Sequence, residues 1–354
     1  MVNPSAPQLA DLTPYDPKYL PAEVMLSANE NTRSLPTEVK AQVLDAVSQV
    51  PMNRYPDPLA NDLRDMIAED QGLSRNQILL GNGGDELLFD IALAWGGPNR
   101  KFLTFPPAFS VYVNHAQLCN TTVVSVPRKP DYRLDEEAIL KRLGAGDINY
   151  TIITSPNNPS GDLARPEFIE QVLKTSDALV LADEAYFEFA QESVRPLLDR
   201  YDNLLILRTF SKAYCLAGCR IGYLMGSENL IRELIKVRQP YSVDAVSQAI
   251  ARVVFENREA FNPGIEEIIQ ERGRLFDALN SIRGVRVYPS RANYLLFYVK
   301  NAGAVWQELF NRGILIRDFS QAPYLKDCLR VSVGQPDEND RFIAELTAIV
   351  DAMA

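Results

Sequence analysis

The feature that most constrains this chain is a series of short, almost unbroken apolar runs. They are ILL (78–80), KFLTF (101–105), TTVVSV (121–126), YTIITS (150–155), ALVLAD (178–183), LLILRTF (204–210) and RIGYLMG (220–226), with amphipathic segments between them. A strand with one wet face alternates apolar and polar residues, whereas a strand that is apolar at nearly every position must be covered on both faces. Such runs alternating with helices predict an α/β domain with a mostly parallel sheet and helices on both faces.

After Gly226 the rhythm changes. Helices are expected over about 228–238, 244–261 and 264–281, with Pro263 and Gly284 as breaks. VRVYPS (285–290), NYLLFYV (293–299), ILIRDF (314–319) and CLRVSVG (328–334) then read as strands around one more helix, and a last helix runs to about 352. This pattern predicts a smaller α+β C-terminal domain. We expect residues 1–35 to form an N-terminal arm that contributes to the small domain, 36–240 the large domain and 241–354 the small one. The first 30 or so residues, rich in proline and polar residues, read as an extended arm rather than a core element. A helix is expected from about Pro36, with Val39, Val43, Val47 and Val50 at helical spacing.

Charge and composition narrow the function. The chain of 354 residues carries a formal net charge of −10, which argues against a nucleic-acid or anionic-membrane binder, since those rely on clustered Lys and Arg. Cys119, Cys215, Cys219 and Cys328 form no CxxC pair and read as free thiols of a reducing compartment. The opening MVNPSAPQLADL has neither a basic flank nor an apolar core, and no apolar run reaches 18 residues, so a soluble cytoplasmic protein is expected. The single histidine, His115, excludes a His-based metal cluster and leaves acid–base chemistry to lysine, tyrosine or carboxylates. His115 itself reads as structural or partly exposed.

In a parallel α/β sheet, ligands collect at the carboxyl ends of the strands. GNGGDE (81–86) follows ILL there: Gly83 and Gly84 let the backbone approach a ligand, and a helix starting at about Asp85 offers free N–H groups to a phosphate. SPNNPSG (155–161) is a turn that aims Asn157 or Asn158. Asp183, Glu184 and Tyr186 follow ALVLA, and Ser211 and Lys212 follow LLILRTF. Each has an ordinary explanation alone, as a turn, a helix cap, an ion pair or a solvated lysine, but together they form a chemical set.

The set suits pyridoxal 5'-phosphate, which needs a lysine for its aldehyde, an acid at its ring nitrogen, donors at its phenolic oxygen and a phosphate cradle. Lys212 can bond the aldehyde and, once released by substrate, move a proton as a general base. Asp183 can hold the ring nitrogen protonated, while Asn158 and Tyr186 can donate to the phenolic oxygen. Thr209, Ser211, Arg220 and the amides of Gly84 and Asp85 can hold the phosphate.

GNGGDE, SPNNPSG, LADEAY (181–186), RTFSKA (208–213) and LAGCRIGY (216–223) occur in the order and at about the spacing of the class I/II aminotransferases, which the chain resembles over essentially its whole length. The resemblance implies fold type I of the pyridoxal-phosphate-dependent transferases and Lys212 as the Schiff-base lysine. It also implies Phe109, in PPAFSVY, as the ring stacked on the cofactor, where many members have tyrosine. Within the family the ends of the chain are most similar to the histidinol-phosphate aminotransferases. LTPY (12–15) and LSANEN (26–31) resemble that group's N-terminal signature, which implies a substrate-binding role for Tyr15, at the substrate phosphate, and for Asn29. Thr32 stands where proline is usual. NRYPDP (53–58) implies a homodimer in which Tyr55 crosses to the neighbouring cofactor phosphate. Arg317 and Arg330 stand where the family has two substrate-binding arginines, with Arg330 assigned to a carboxylate and Arg317 to the substrate phosphate.

The expected activity is transamination between histidinol phosphate and 2-oxoglutarate, giving imidazole-acetol phosphate and glutamate, in histidine biosynthesis. The alternatives are an aromatic aminotransferase and a threonine-phosphate decarboxylase, which share the cofactor residues and differ in a few pocket contacts. A regulator built on an aminotransferase-like domain would carry an added basic module, which this chain lacks. GNGGDE is not GxGxxG, which counts against a dinucleotide-binding oxidoreductase.

Overall fold

The computed structural model describes residues 5–9, 12 and 20–353. Val24–Leu26 (β1), Thr37–Ser48 (α1) and Asn61–Gln71 (α2) come first. Each of the seven apolar runs then becomes a strand: Ile78–Asn82 (β2), Lys101–Thr104 (β3), Thr122–Ser125 (β4), Tyr150–Thr154 (β5), Leu179–Asp183 (β6), Leu204–Thr209 (β7) and Ile221–Gly226 (β8). They form one sheet in the order β2-β8-β7-β6-β5-β3-β4, in which β8 runs antiparallel to both neighbours and every other pair is parallel.

The connections are helical: Gly83–Trp95 (α3), Val111–Leu118 (α4), Glu136–Leu143 (α5), Pro166–Thr175 (α6), Phe187–Ala190 (α7) and Glu228–Ile235 (α8). The central strands are buried at every residue because successive side chains enter two different cores. Val180, Leu204 and Ile206 pack into one apolar cluster with Phe168 and Ile169. Leu179, Leu181, Leu205 and Leu207 pack into the other with Leu87 and Ile91 of α3.

Beyond β8 come Ala245–Glu256 (α9), Asn262–Ser281 (α10), Val285–Val287 (β9), Tyr294–Val299 (β10), Ala302–Asn311 (α11), Ile314–Asp318 (β11), Cys328–Ser332 (β12) and Pro336–Met353 (α12). The second sheet has the order β1-β11-β12-β10-β9, antiparallel except for β1, which pairs in parallel with β11.

The strand β1 corrects the expectation that the first 30 residues stay outside the core. Val24 and Leu26 are buried, and Val24 lies opposite Ile314. Pro263 does not break the chain: it sits in the first turn of α10, where its fixed φ fits and its missing N–H has no partner to lose. The helix before it ends at Glu256 and gives way to a 3₁₀ turn over Arg258–Phe261, and α3 begins at Gly83 rather than Asp85. We propose that the domains divide near residues 35 and 240, between α8 and α9; α9 packs on α1 across that division.

Candidate active site

The parallel strands end along one edge of the first sheet, and the antiparallel β8 begins at that same edge. Thr154, Asp183 and Thr209 close β5, β6 and β7, while Arg220 stands immediately before β8. This topology brings residues from four strands to one place.

Asp183 is buried, and its carboxylate accepts from Tyr112 Oη at 2.6 Å and from the Ala185 N–H at 3.0 Å. Burial raises its pKa to about 6, with the Tyr112 hydrogen bond acting in the opposite direction. It is therefore mostly ionised at neutral pH, ready for a cationic partner. Lys212, half-buried, donates from Nζ to the Ala28 carbonyl at 3.1 Å. Its pKa is lowered to about 8, first by burial and then by the nearby Arg330 guanidinium. An amine poised so close to neutrality can act as nucleophile and base.

A candidate phosphate cradle lies at the N-terminus of α3. Arg220, held at a φ of +53°, donates from Nη2 to the Asp85 carboxylate at 3.1 Å. Two glycines make this approach possible. A Cβ on Gly83, itself at a φ of +74°, would lie 2.4 Å from Arg220 Nη2, and one on Gly222 would lie 2.8 Å from the Gly84 nitrogen. The amides of Gly84 and Asp85 thus sit in the first turn of a 13-residue helix, where N–H groups lack helical acceptors. Thr209 and Ser211 complete the group, with their hydroxyls 3.0 Å apart and the Ser211 N–H donating to Thr209 Oγ1. Two hydroxyls, a guanidinium and a helix N-terminus suit a phosphate dianion. With Lys212 and Asp183 on the same sheet edge, these residues fit pyridoxal phosphate.

The arginines expected to meet substrate come from the second sheet. Arg330 on β12 is buried and donates to Asn158 Oδ1 at 2.5 Å and to the Ser27 carbonyl at 2.7 Å. Arg317 on β11 is its register partner, and both guanidinium groups lie over the Phe319 ring. Tyr186 is buried with its hydroxyl accepting from Asn29 Nδ2 at 2.9 Å. Asn157, the other candidate in its turn, serves the loop instead, donating to the Pro107 carbonyl and to Ser160.

Sequence reasoning missed two elements. Tyr112 bridges Asp183 and Thr154 and meets Phe109 edge-on, with ring centroids 5.5 Å apart. The three-residue spacing from Phe109 to Tyr112 was the available signal, since it puts both rings on one side of a turn. The second is the part that backbone plays in the strap Ser27–Asn31, a stretch marked in the sequence by LSANEN and represented there by Asn29 alone. Ser27 O accepts from Arg330, Ala28 O from Lys212, the Asn29 amide holds Tyr186, and Asn31 Nδ2 donates to the Ala213 carbonyl.

Tyr15 lies outside the described residues. Tyr55 is 81% exposed and stacks on Tyr241 at 4.6 Å. His115 packs edge-on against Phe89, and burial lowers its pKa. Among the described residues no group of three or more His, Cys, Asp or Glu could hold a metal, and no helix is long and apolar enough to cross a membrane.

Comparison with known proteins agrees with this arrangement. The chain is 40% identical over 342 residues to histidinol-phosphate aminotransferase 1 of Carboxydothermus hydrogenoformans, covering 96% of this chain and 97% of that relative. It is 37% identical over 350 residues to the histidinol-phosphate aminotransferase of Chlorobium phaeovibrioides, covering 98% and 97%. The crystal structure of histidinol-phosphate aminotransferase from Sinorhizobium meliloti in complex with pyridoxal-5'-phosphate superposes with a TM-score of 0.90 at 25% identity, covering 98% of each chain. The profile of aminotransferase class I and II matches residues 22–346, and this chain belongs to that family.

Proposed function

We propose that the chain transfers an amino group between histidinol phosphate and 2-oxoglutarate, giving imidazole-acetol phosphate and glutamate, as a cytoplasmic homodimer that uses pyridoxal phosphate. The observation that carries the substrate reading is the pairing of Arg317 with Arg330 across β11 and β12, with the Arg330 guanidinium near Lys212. One substrate of the pair brings a phosphate and the other carboxylates, and guanidinium forks suit both groups. Similarity to histidinol-phosphate aminotransferases over nearly the whole chain supports the same reading.

Bound pyridoxal phosphate supplies an aldehyde that captures the amine and a ring that takes up the electron pair left at Cα. The chain supplies the rest. Asp183, with its buried carboxylate, would meet the ring nitrogen and favour its protonated form. Lys212 Nζ, with its pKa near 8, takes the proton from the substrate Cα. Asn158 and Tyr186 would hold the phenolic oxygen, Phe109 would cover the ring face, and Gly84, Asp85, Thr209, Ser211 and Arg220 would anchor the phosphate. Arg330 and Arg317 orient the substrate's anionic ends, joined by Tyr15 and Asn29. Tyr55, exposed and stacked on Tyr241, is the residue we place across the dimer interface at the partner's phosphate site.

Titration of the purified holoenzyme with an amino donor alone, followed through the cofactor's visible absorption band, tests the reading. Histidinol phosphate should deplete the band at far lower concentration than phenylalanine. An equal or stronger response to phenylalanine would move the substrate to aromatic amino acids. No band, even after adding pyridoxal phosphate, would refute the cofactor.

A further inference from the structure

Asn29 occupies a position that few residues could fill. It is 2% exposed and sits in the left-handed region with a φ of +54°, which asparagine tolerates better than most side chains. Each of its polar groups has a partner. Its backbone N–H donates to Ser332 Oγ at 2.9 Å, and its carbonyl accepts from Asn293 Nδ2 at 3.0 Å. Ser332 Oγ, already accepting from that N–H, gives its own proton to Asn29 Oδ1 at 3.4 Å, which directs Nδ2 to Tyr186 Oη at 2.9 Å.

A phenol hydroxyl has one proton to give. An amide N–H donated into its lone pair prevents the hydroxyl from spending that proton on Asn29 and polarises its O–H bond. We propose that Asn29 is a positioning residue for Tyr186, holding its hydroxyl as an acceptor on one side so that its proton is presented to the cofactor's phenolic oxygen. This rests on the pyridoxal-phosphate reading above and adds to the substrate-side place proposed for Asn29 a role exerted through Tyr186. The same amide ties the tyrosine to β12, the strand of Arg330, so the donor geometry at the cofactor and the substrate arginine share one support.

The test is the pH titration of the cofactor's visible band in substrate-free holoenzyme. A hydrogen bond donated to the phenolic oxygen disfavours the protonated form of the chromophore, so weakening it raises the midpoint. The variant Asn29→Gly keeps the left-handed backbone and removes only the amide. We expect its midpoint to rise by roughly half a pH unit, the size of a fraction of one net hydrogen bond. Asn29→Asp, which keeps the shape but accepts the tyrosine proton, should shift it in the same direction and at least as far. In a Tyr186→Phe background, Asn29→Gly should add no further shift, because the path through the hydroxyl is already gone. The charged and titratable neighbours on the other elements, Glu30, Asp85, Tyr112, Asp183, Lys212, Arg220, Tyr294 and Arg330, are identical in all these proteins.

An unchanged midpoint in both Asn29 variants overturns the proposal, as does an equal Asn29→Gly shift with and without the Tyr186 hydroxyl. A raised KM for the amino donor with an unshifted midpoint would return Asn29 to direct substrate binding. Absence of the band in the unmutated protein would instead sink the cofactor reading, and this inference with it.

Discussion

The substitution Gly222→Ala tests how the phosphate cradle is built. Gly222 lies in the interior of β8, opposite Gly81 on one side and Thr209 on the other. An added Cβ would stand 2.8 Å from the Gly84 nitrogen and 2.9 Å from the Gly83 carbonyl carbon. Both are backbone atoms, so no side chain can swing aside, and the start of α3 must retreat from the strand by several tenths of an ångström. Overpacking of this kind costs about 1–3 kcal/mol of stability. The larger effect falls on the ligand: the Gly84 and Asp85 amides move relative to Ser211 and Arg220, and one charge-assisted phosphate contact is worth about 1.5–3 kcal/mol. Affinity for pyridoxal phosphate should fall roughly 10- to 150-fold. Fluorescence titration of the cofactor-free protein measures it, with pyridoxal, which lacks the phosphate, as the internal control. Gly218→Ala, whose Cβ would meet nothing within 4 Å, should be neutral. Unaltered affinity in Gly222→Ala, or equal losses for pyridoxal and its phosphate, would refute the reasoning.

Three further outcomes are expected. Below pH 8 the cofactor-free fold bears the full penalty of a charged, desolvated Lys212, whose pKa falls from 10.5 to about 8 on folding; the penalty is relieved as pH rises from 8 to 10.5, where the unfolded chain holds more protons. Lys212→Met should therefore be more stable than the unmutated apo protein at pH 7 in urea denaturation, and an advantage undiminished near pH 10 would contradict this. Glu184, which accepts from Arg208 Nε at 3.0 Å and from the Val194 N–H at 2.8 Å, neutralises a buried guanidinium; Glu184→Gln should cost about 3–5 kcal/mol in the same assay, and a loss below about 1 kcal/mol would show that the pair is dispensable. Lys212→Ala and Tyr55→Ala chains, each nearly inactive alone, should regain activity when co-expressed, because a mixed dimer holds one site free of both changes; no recovery in mixed dimers isolated by two tags would place Tyr55 in its own subunit's site.

What the sequence disclosed, and what it hid, follows from which part of a residue does the work. The main sheet was legible because burial on both faces leaves a compositional mark: β6 and β7 are apolar at almost every position, since alternate residues feed separate cores. Lys212 and Asp183 could be singled out because their side chains suit the proposed chemistry and stand at the ends of such runs. The strand β1 was hidden: it has three residues, and its parallel partner β11 lies almost the whole chain away, with no turn between them to announce a pairing. Tyr112 carries no mark in the sequence, and only its hydrogen bonds to Asp183 and Thr154 distinguish it. LSANEN marked the strap, but its contacts were hidden most completely, because the groups that meet Arg330 and Lys212 are the carbonyls of Ser27 and Ala28, and every residue has one. At Ala28 the side chain is incidental while the path of the backbone is not. That path is set one residue later, where Asn29 takes the left-handed turn and fastens it to Ser332 and Tyr186. The strap's contacts therefore depend on a position whose side chain is chemically distinctive, and a sequence can betray a backbone-built site only through such a position.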